Sequence, residues 1–182
     1  MGGVLQRNDA MVGLRPNGLP TDAGASIADA IGDAEAALRL SEEKFSKAFH
    51  ASPDGITISL LEDNKFLEVN DGFLEIIGYS REEVIGKTAF ELNVWADPAA
   101  RGQLIRGLQE HGYVKGVRIV YNHREGWQGI CEMSASTINV GGKPGFLAVG
   151  RDITSRVRAE EEKQRAFEEI AQLKEALERE RE

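Results

Sequence analysis

The chain has 182 residues, a net charge of −8 and a hydrophobic fraction of 41 %, which suits one ordinary core with extensions and leaves little for a second. The negative balance has the wrong sign for a phosphate-backbone binder, so direct nucleic-acid binding is not expected. The single cysteine, Cys131, precludes an internal disulfide, no apolar run reaches the roughly 18 residues of a membrane span, and the N-terminus lacks a signal-peptide core; a soluble, cytoplasmic protein without a membrane partner is expected.

Residues 1–25 are rich in Gly, Asn, Asp and Pro without a period of either kind, which predicts disorder. From there Ile27, Ile31, Ala34, Leu38, Ser41, Phe45 and Ala48 step by four and three, a heptad seam on a helix over 26–50. Ser52-Pro53-Asp54-Gly55 stops it. A strand over 56–61, a turn at 62–65 and a strand over 66–70 predict a hairpin. Between Val69 and Lys87 the apolar run Phe73, Leu74, Ile76, Ile77 is broken at Gly78-Tyr79-Ser80; Ser80 suits an N-cap, and Gly86 a left-handed exit.

Asp97 and Pro98 predict the start of a longer helix whose apolar face is Leu104, Ile105 and Leu108 and which Gly112 ends. Three strands follow. In 113–122, Val117, Ile119 and Tyr121 share a face; in 127–140, Cys131, Met133 and Ala135 do. The strand over 146–153 is apolar on both faces, the pattern of a strand covered on both sides. From Thr154 onward the chain is one helix without Gly or Pro, and Ala159, Lys163, Ala166, Ile170, Leu173 and Leu177 again step by four and three. A lone amphipathic helix of this length has too few apolar groups to offset the ordering of its backbone, which costs roughly 1–2 kcal/mol per residue. A homodimer through both helices is expected, with Ile27, Ile31, Leu38, Phe45, Ile170, Leu173 and Leu177 in its seam.

Val69-Asn70, Phe73, Ile77-Gly78-Tyr79-Ser80, Glu83 and Ile85-Gly86-Lys87 resemble the signature of the PAS domain family. Trp95-Ala96-Asp97-Pro98 with Arg101, and then Arg151-Asp152-Ile153-Thr154, resemble the later motifs of its S-box branch. The resemblance covers about residues 40–154. It implies an α+β fold: a five-stranded antiparallel sheet in the order 2-1-5-4-3, short helices on one face, and N- and C-terminal coiled-coil helices flanking it. It also implies a sensory or dimerising module that passes a signal to an attached effector; Asp152 and Thr154, where the last strand gives way to the helix, are the expected relay point. The tail from Phe167 onward resembles the linker before the ATPase domain of NtrC-type enhancer-binding activators, and similar charged linkers precede sensor histidine kinases. The expected organisation is a disordered 1–25, a dimerisation helix 26–50, a sensor domain 51–154 and a signalling helix 155–182, with the effector outside this chain.

Chemistry finds few footholds. Gly86-Lys87-Thr88 copies the end of a phosphate-binding loop, but Arg81 stands where that motif requires Gly, and a helix cap is the better account. His50, His111 and His123 have no metal-ligand spacing with one another or with Cys131, so no metal is expected; His50 and His123 are expected to be exposed. His111 is the one candidate haem ligand, Trp95 and Trp127 are candidates to flank a flavin, and packing is the bland reading of all three. The light-sensing branch carries its cysteine in a helical motif that is absent, so Cys131 reads as a small core residue. No catalytic grouping stands out, and an enzyme is not expected. The pocket candidates are Ile119, Cys131, Met133 and Ala135 on the sheet, with Leu104, Leu108 and His111 opposite. The same residues can equally fill a core, which leaves two readings: a sensor for a small ligand, and a ligand-free dimerisation module that only positions effectors.

Overall fold

The computed structural model describes residues 21–181. Helix α1 spans Thr21–Ala51, so its first residues lie inside the stretch expected to be disordered, while residues 1–20 fall outside the described residues. The run from Thr21 to Ala30 is short in apolar groups but rich in Ala and free of Pro, which helical backbone tolerates. The helix ends where expected, because Pro53 disfavours the helical conformation of the residue before it. The chain divides at Phe45 and Ser46 into two compact units; the second holds everything that follows.

Strands β1 (Gly55–Leu60) and β2 (Phe66–Val69) form the predicted hairpin, each within a residue of its expected bounds. Two short helices follow, α2 (Asp71–Ile77) and α3 (Arg81–Val84). Gly78 at φ 78° closes α2, and Ser80 opens α3 with its N–H donating to Glu83 Oε2 at 2.9 Å. Gly86, also at φ 78°, lets the chain return to β2: Phe66 N–H donates to Lys87 O and Gly86 N–H to Phe66 O, both at 2.9 Å. The Gly86-Lys87-Thr88 step is therefore a helix exit held along a sheet edge. Helix α4 (Pro98–His111) begins as expected, with Asp97 Oδ1 accepting from Ala99 N–H at 2.8 Å, and Gly112 at φ 76° ends it.

Strands β3 (Tyr113–Asn122), β4 (Gln128–Val140) and β5 (Lys143–Asp152) complete an antiparallel sheet in the order β2-β1-β5-β4-β3. Helix α5, Thr154–Glu180, leaves from its last strand. The helix-facing side of the sheet carries Ile119, Tyr121, Cys131, Ala135, Phe146 and Ala148, all buried. The opposite side of β5 differs from expectation. Leu147 and Val149 are only half-buried, so the apolar run on both faces does not mean burial on both. Ile56, Ile58 and Leu60 of β1 share that outer face, while Gly55, Thr57 and Ser59 point inward.

Candidate ligand cavity and helix junction

The inward positions of β1 and β5 are small. Gly55 pairs with Gly150, and Thr57 with Ala148. Small side chains here leave space that the helices over the sheet do not fill, and two adjoining cavities result, of about 60 Å³ and about 40 Å³. Thr57, Phe73, Val94, Ile119, Met133 and Ala148 line both. Tyr121 and Cys131 complete the smaller; Ser59, Trp95, Arg101 and Leu104 are among the residues that complete the larger. A water needs roughly 10–15 Å³ of such space. The pair therefore has room for several waters or a small organic molecule, and a haem or flavin requires the overlying helices to move outward.

Of the expected pocket residues, Leu104, Ile119, Cys131 and Met133 line these cavities. Leu108 and Ala135 do not: both are buried against each other's neighbours in a second cluster with Phe146 and Ala148. His111 is a correction. It is exposed on the last turn of α4, where Gly112 turns the chain directly into β3, so that turn lies at the sheet edge and offers no ligand to the interior. Trp127 is 43 % exposed and stacks on His123 with ring centroids 4.1 Å apart. That stacking corrects a second expectation, since the His123 side chain is only 12 % exposed. His50 is exposed and lies 3.5 Å from Asp71. The residues present thus fit neither a haem nor a flavin, and the described residues hold no cluster of His, Cys, Asp or Glu suited to a metal ion. Cys131 is buried, and burial, reinforced by the Asp152 carboxylate, pushes its thiol up to about 12; it behaves as a core side chain.

Asp152 and Thr154 occupy the point where the sheet hands over to α5. Thr154 is buried. Its N–H donates to Asp152 Oδ1 at 2.8 Å, and its Oγ1 accepts from Ile130 N–H at 2.8 Å. Ile153 N–H donates to Ile130 O at 2.9 Å, so the first turn of α5 is stitched to β4. The other oxygen of Asp152 accepts from Tyr121 Oη at 2.9 Å. Burial and that carboxylate push the Tyr121 phenol upward, which keeps it a donor. Tyr121 is 2 % exposed and forms part of the smaller cavity's wall, so one hydrogen-bonded path runs from cavity to helix. Sequence reasoning missed Tyr121, whose phenol on an otherwise apolar strand face was the available signal.

It also missed what Asn70 does. This residue is fully buried, and its side chain makes five hydrogen bonds: Oδ1 accepts from Ile56 N–H (2.7 Å) and Phe73 N–H (2.9 Å), and Nδ2 reaches the carbonyls of Phe49 (3.0 Å), Ser52 (3.2 Å) and Asp54 (2.8 Å). One amide thereby joins the end of α1, the turn after it, β1 and α2. An Asn followed by an apolar helix signals the cap on Phe73; the other bonds depend on segments up to 21 residues away.

The profile of the PAS domain family matches residues 53–155. A methyl sulfide methyltransferase-associated sensor of Methanosarcina acetivorans is 31 % identical over 132 residues, which are 68 % of this chain and 12 % of that protein; the chain spans only about an eighth of that relative's length. Among solved structures, the PAS domain of an HTR-like protein from Haloarcula marismortui superposes with a TM-score of 0.57 at 27 % identity, covering 67 % of this chain and 99 % of that one. A PAS domain from Colwellia psychrerythraea gives 0.54 at 25 % identity over 62 % and 97 %.

Proposed function

The chain belongs to the PAS family, and from that premise we propose that it is a cytoplasmic sensory module, a binding protein and not a catalyst. It takes a small ligand between sheet and α4 and passes the change through Tyr121, Asp152 and Thr154 to α5. The observation that carries this reading is the hydrogen-bonded path from a cavity wall to the first residue of the outgoing helix. Ile170, Leu173 and Leu177 are 62 %, 64 % and 57 % exposed, as are Ile27, Ile31, Leu38 and Phe45 to a similar degree. Apolar stripes at heptad spacing bury themselves by pairing, so the working form is a homodimer through both helices, with α5 leading to an output domain of the transcription-activator or histidine-kinase kind.

The energetics set a minimum ligand. Swinging a two-state element from mostly one form to mostly the other takes roughly 5.5 kcal/mol of differential binding. At the ceiling of about 1.5 kcal/mol per non-hydrogen atom, roughly four atoms is the smallest ligand that suffices, and the cavities admit one of that order. Their small size also favours a second reading, a ligand-free module that only spaces its effectors.

Ala148→Val separates the two, because it fills both cavities without any ligand. Amide exchange over residues 154–157 is expected to change several-fold in that variant, and the change is expected to vanish when Tyr121→Phe is added. Unchanged exchange in Ala148→Val would sink the relay and leave the spacer. Sedimentation at micromolar concentration checks the dimer; a monomer overturns the seam.

A further inference from the structure

The larger cavity contains polar groups that an ordinary core does not tolerate. Ser59 is 1 % exposed, and its Oγ, on an inward position of β1, has no hydrogen-bond partner. Asn64, held at φ 57° in the turn after β1, lines the same space with a buried Oδ1 that is equally unpartnered. Arg101, on the first turns of α4, is half-buried in that wall, and no carboxylate among the described residues pairs with it; burial alone lowers its pKa. The two buried atoms cost stability when left unpaired, and with Arg101 three polar side chains meet at one space of about 60 Å³. Apart from Thr57 the remaining wall is largely apolar, with Phe66, Leu104 and Phe146 buried around it. A further small space of about 30 Å³ adjoins it and shares Ala89, Trp95 and Arg101 with it.

We propose that this cavity binds a short-chain 2-hydroxy acid, its carboxylate held by Arg101 and the Ser59 hydroxyl, its own hydroxyl donating to Asn64 Oδ1, and its carbon chain against Phe66, Leu104 and Phe146. The assignment rests on the sensory reading above and names its ligand class. Each orphaned group then has a partner of the right kind: an anion for the guanidinium, an acceptor for the serine O–H, a donor for the amide oxygen. In a chain of net charge −8, an unpaired arginine in a cavity wall is also the one local feature here that attracts an anion.

The test uses the full chain, titrated by calorimetry with lactate and 2-hydroxybutyrate, with 2-hydroxybutyramide as the uncharged isostere and chloride balancing ionic strength. At least one acid is expected to bind saturably, the amide at least tenfold more weakly, and Arg101→Gln to weaken the acid by roughly thirtyfold or more. Ser59→Ala is expected to weaken the acid several-fold while raising the melting temperature of the unliganded protein, because it removes the orphaned hydroxyl. Equal binding of acid and amide, or an Arg101→Gln protein that binds as the parent does, overturns the carboxylate assignment. Silence from acids and amide alike overturns it too. In either case the relay is judged separately by the exchange experiment on Ala148→Val, which needs no ligand.

Discussion

The chain enters and leaves its sensor domain through two junctions built on opposite plans. At the incoming one, around Asn70, a fully buried amide spends both lone pairs and both hydrogens on backbone groups of four segments. At the outgoing one, Asp152 is exposed, and α5 is tied to the sheet by one carboxylate, one hydroxyl and one strand-like bond to Ile130. Buried polar networks that are fully satisfied rigidify, and breaking them costs the desolvation of every group left behind. At the outgoing junction the Asp152 carboxylate alone is open to water, which can replace its lost partners at little cost, while Tyr121 and Thr154 are buried. The proposed relay requires this division, with the first junction as its fixed frame and the second as the part that moves.

Breaking the frame gives the largest effect. Asn70→Ala strands backbone N–H and C=O groups in a dry interior and is expected to destabilise the domain by about 3–5 kcal/mol, read as a fall in the urea midpoint. Gly72→Ala is the companion variant, since a Cβ there would meet Ser52 O at 2.7 Å and Asp54 O at 2.9 Å, backbone that cannot swing aside; about 1–3 kcal/mol is expected. If both variants unfold at the parental midpoint, the incoming junction is no frame.

Asp152→Ala sharpens the other half of the comparison. It is expected to cost only about 1 kcal/mol globally while amides at the start of α5 exchange faster and those of β1 and β2 do not. Slower or uniform exchange contradicts a hinge at that point.

The smallest effect concerns the link between the two ends. Arg151 Nη2 and Nε hold Asp54 Oδ2 and Oδ1 at 2.7 and 2.9 Å. The hydrogen bond from that guanidinium keeps the Asp54 carboxyl below its ordinary value of 3.8. A carboxyl depressed on folding contributes stability that is present above the unfolded pKa and is lost as pH falls through the folded one. Asp54→Asn should therefore lower stability by about 0.5–1 kcal/mol at neutral pH and flatten its decline below about pH 4. A variant with the parental acid profile removes the pair from consideration.

Most of the fold was legible in the chain. Strand alternation, the caps at Ser80 and Asp97, and the left-handed exits at Gly86 and Gly112 are local signals, set by side chains acting on their own backbone, and the observed elements agree with them to within a few residues. The resemblance supplied the strand order. Local signals also placed Asp152 and Thr154 at the start of α5. They failed where the outcome depends on what lies opposite. Leu108 and His111 are one turn apart on α4, yet Leu108 is buried in the cluster with Ala135 and Phe146 while His111, on the last turn before Gly112, is in solvent. Ser59 and Arg101 are ordinary residues of a strand and a helix until β1 and α4 meet across one small space, and only that meeting leaves a hydroxyl and a guanidinium without partners. Helix caps and turns need a handful of neighbouring residues, which the sequence by itself contains. A cavity, and the charge it calls for, is a property of residues 42 positions apart, and only tertiary packing decided it.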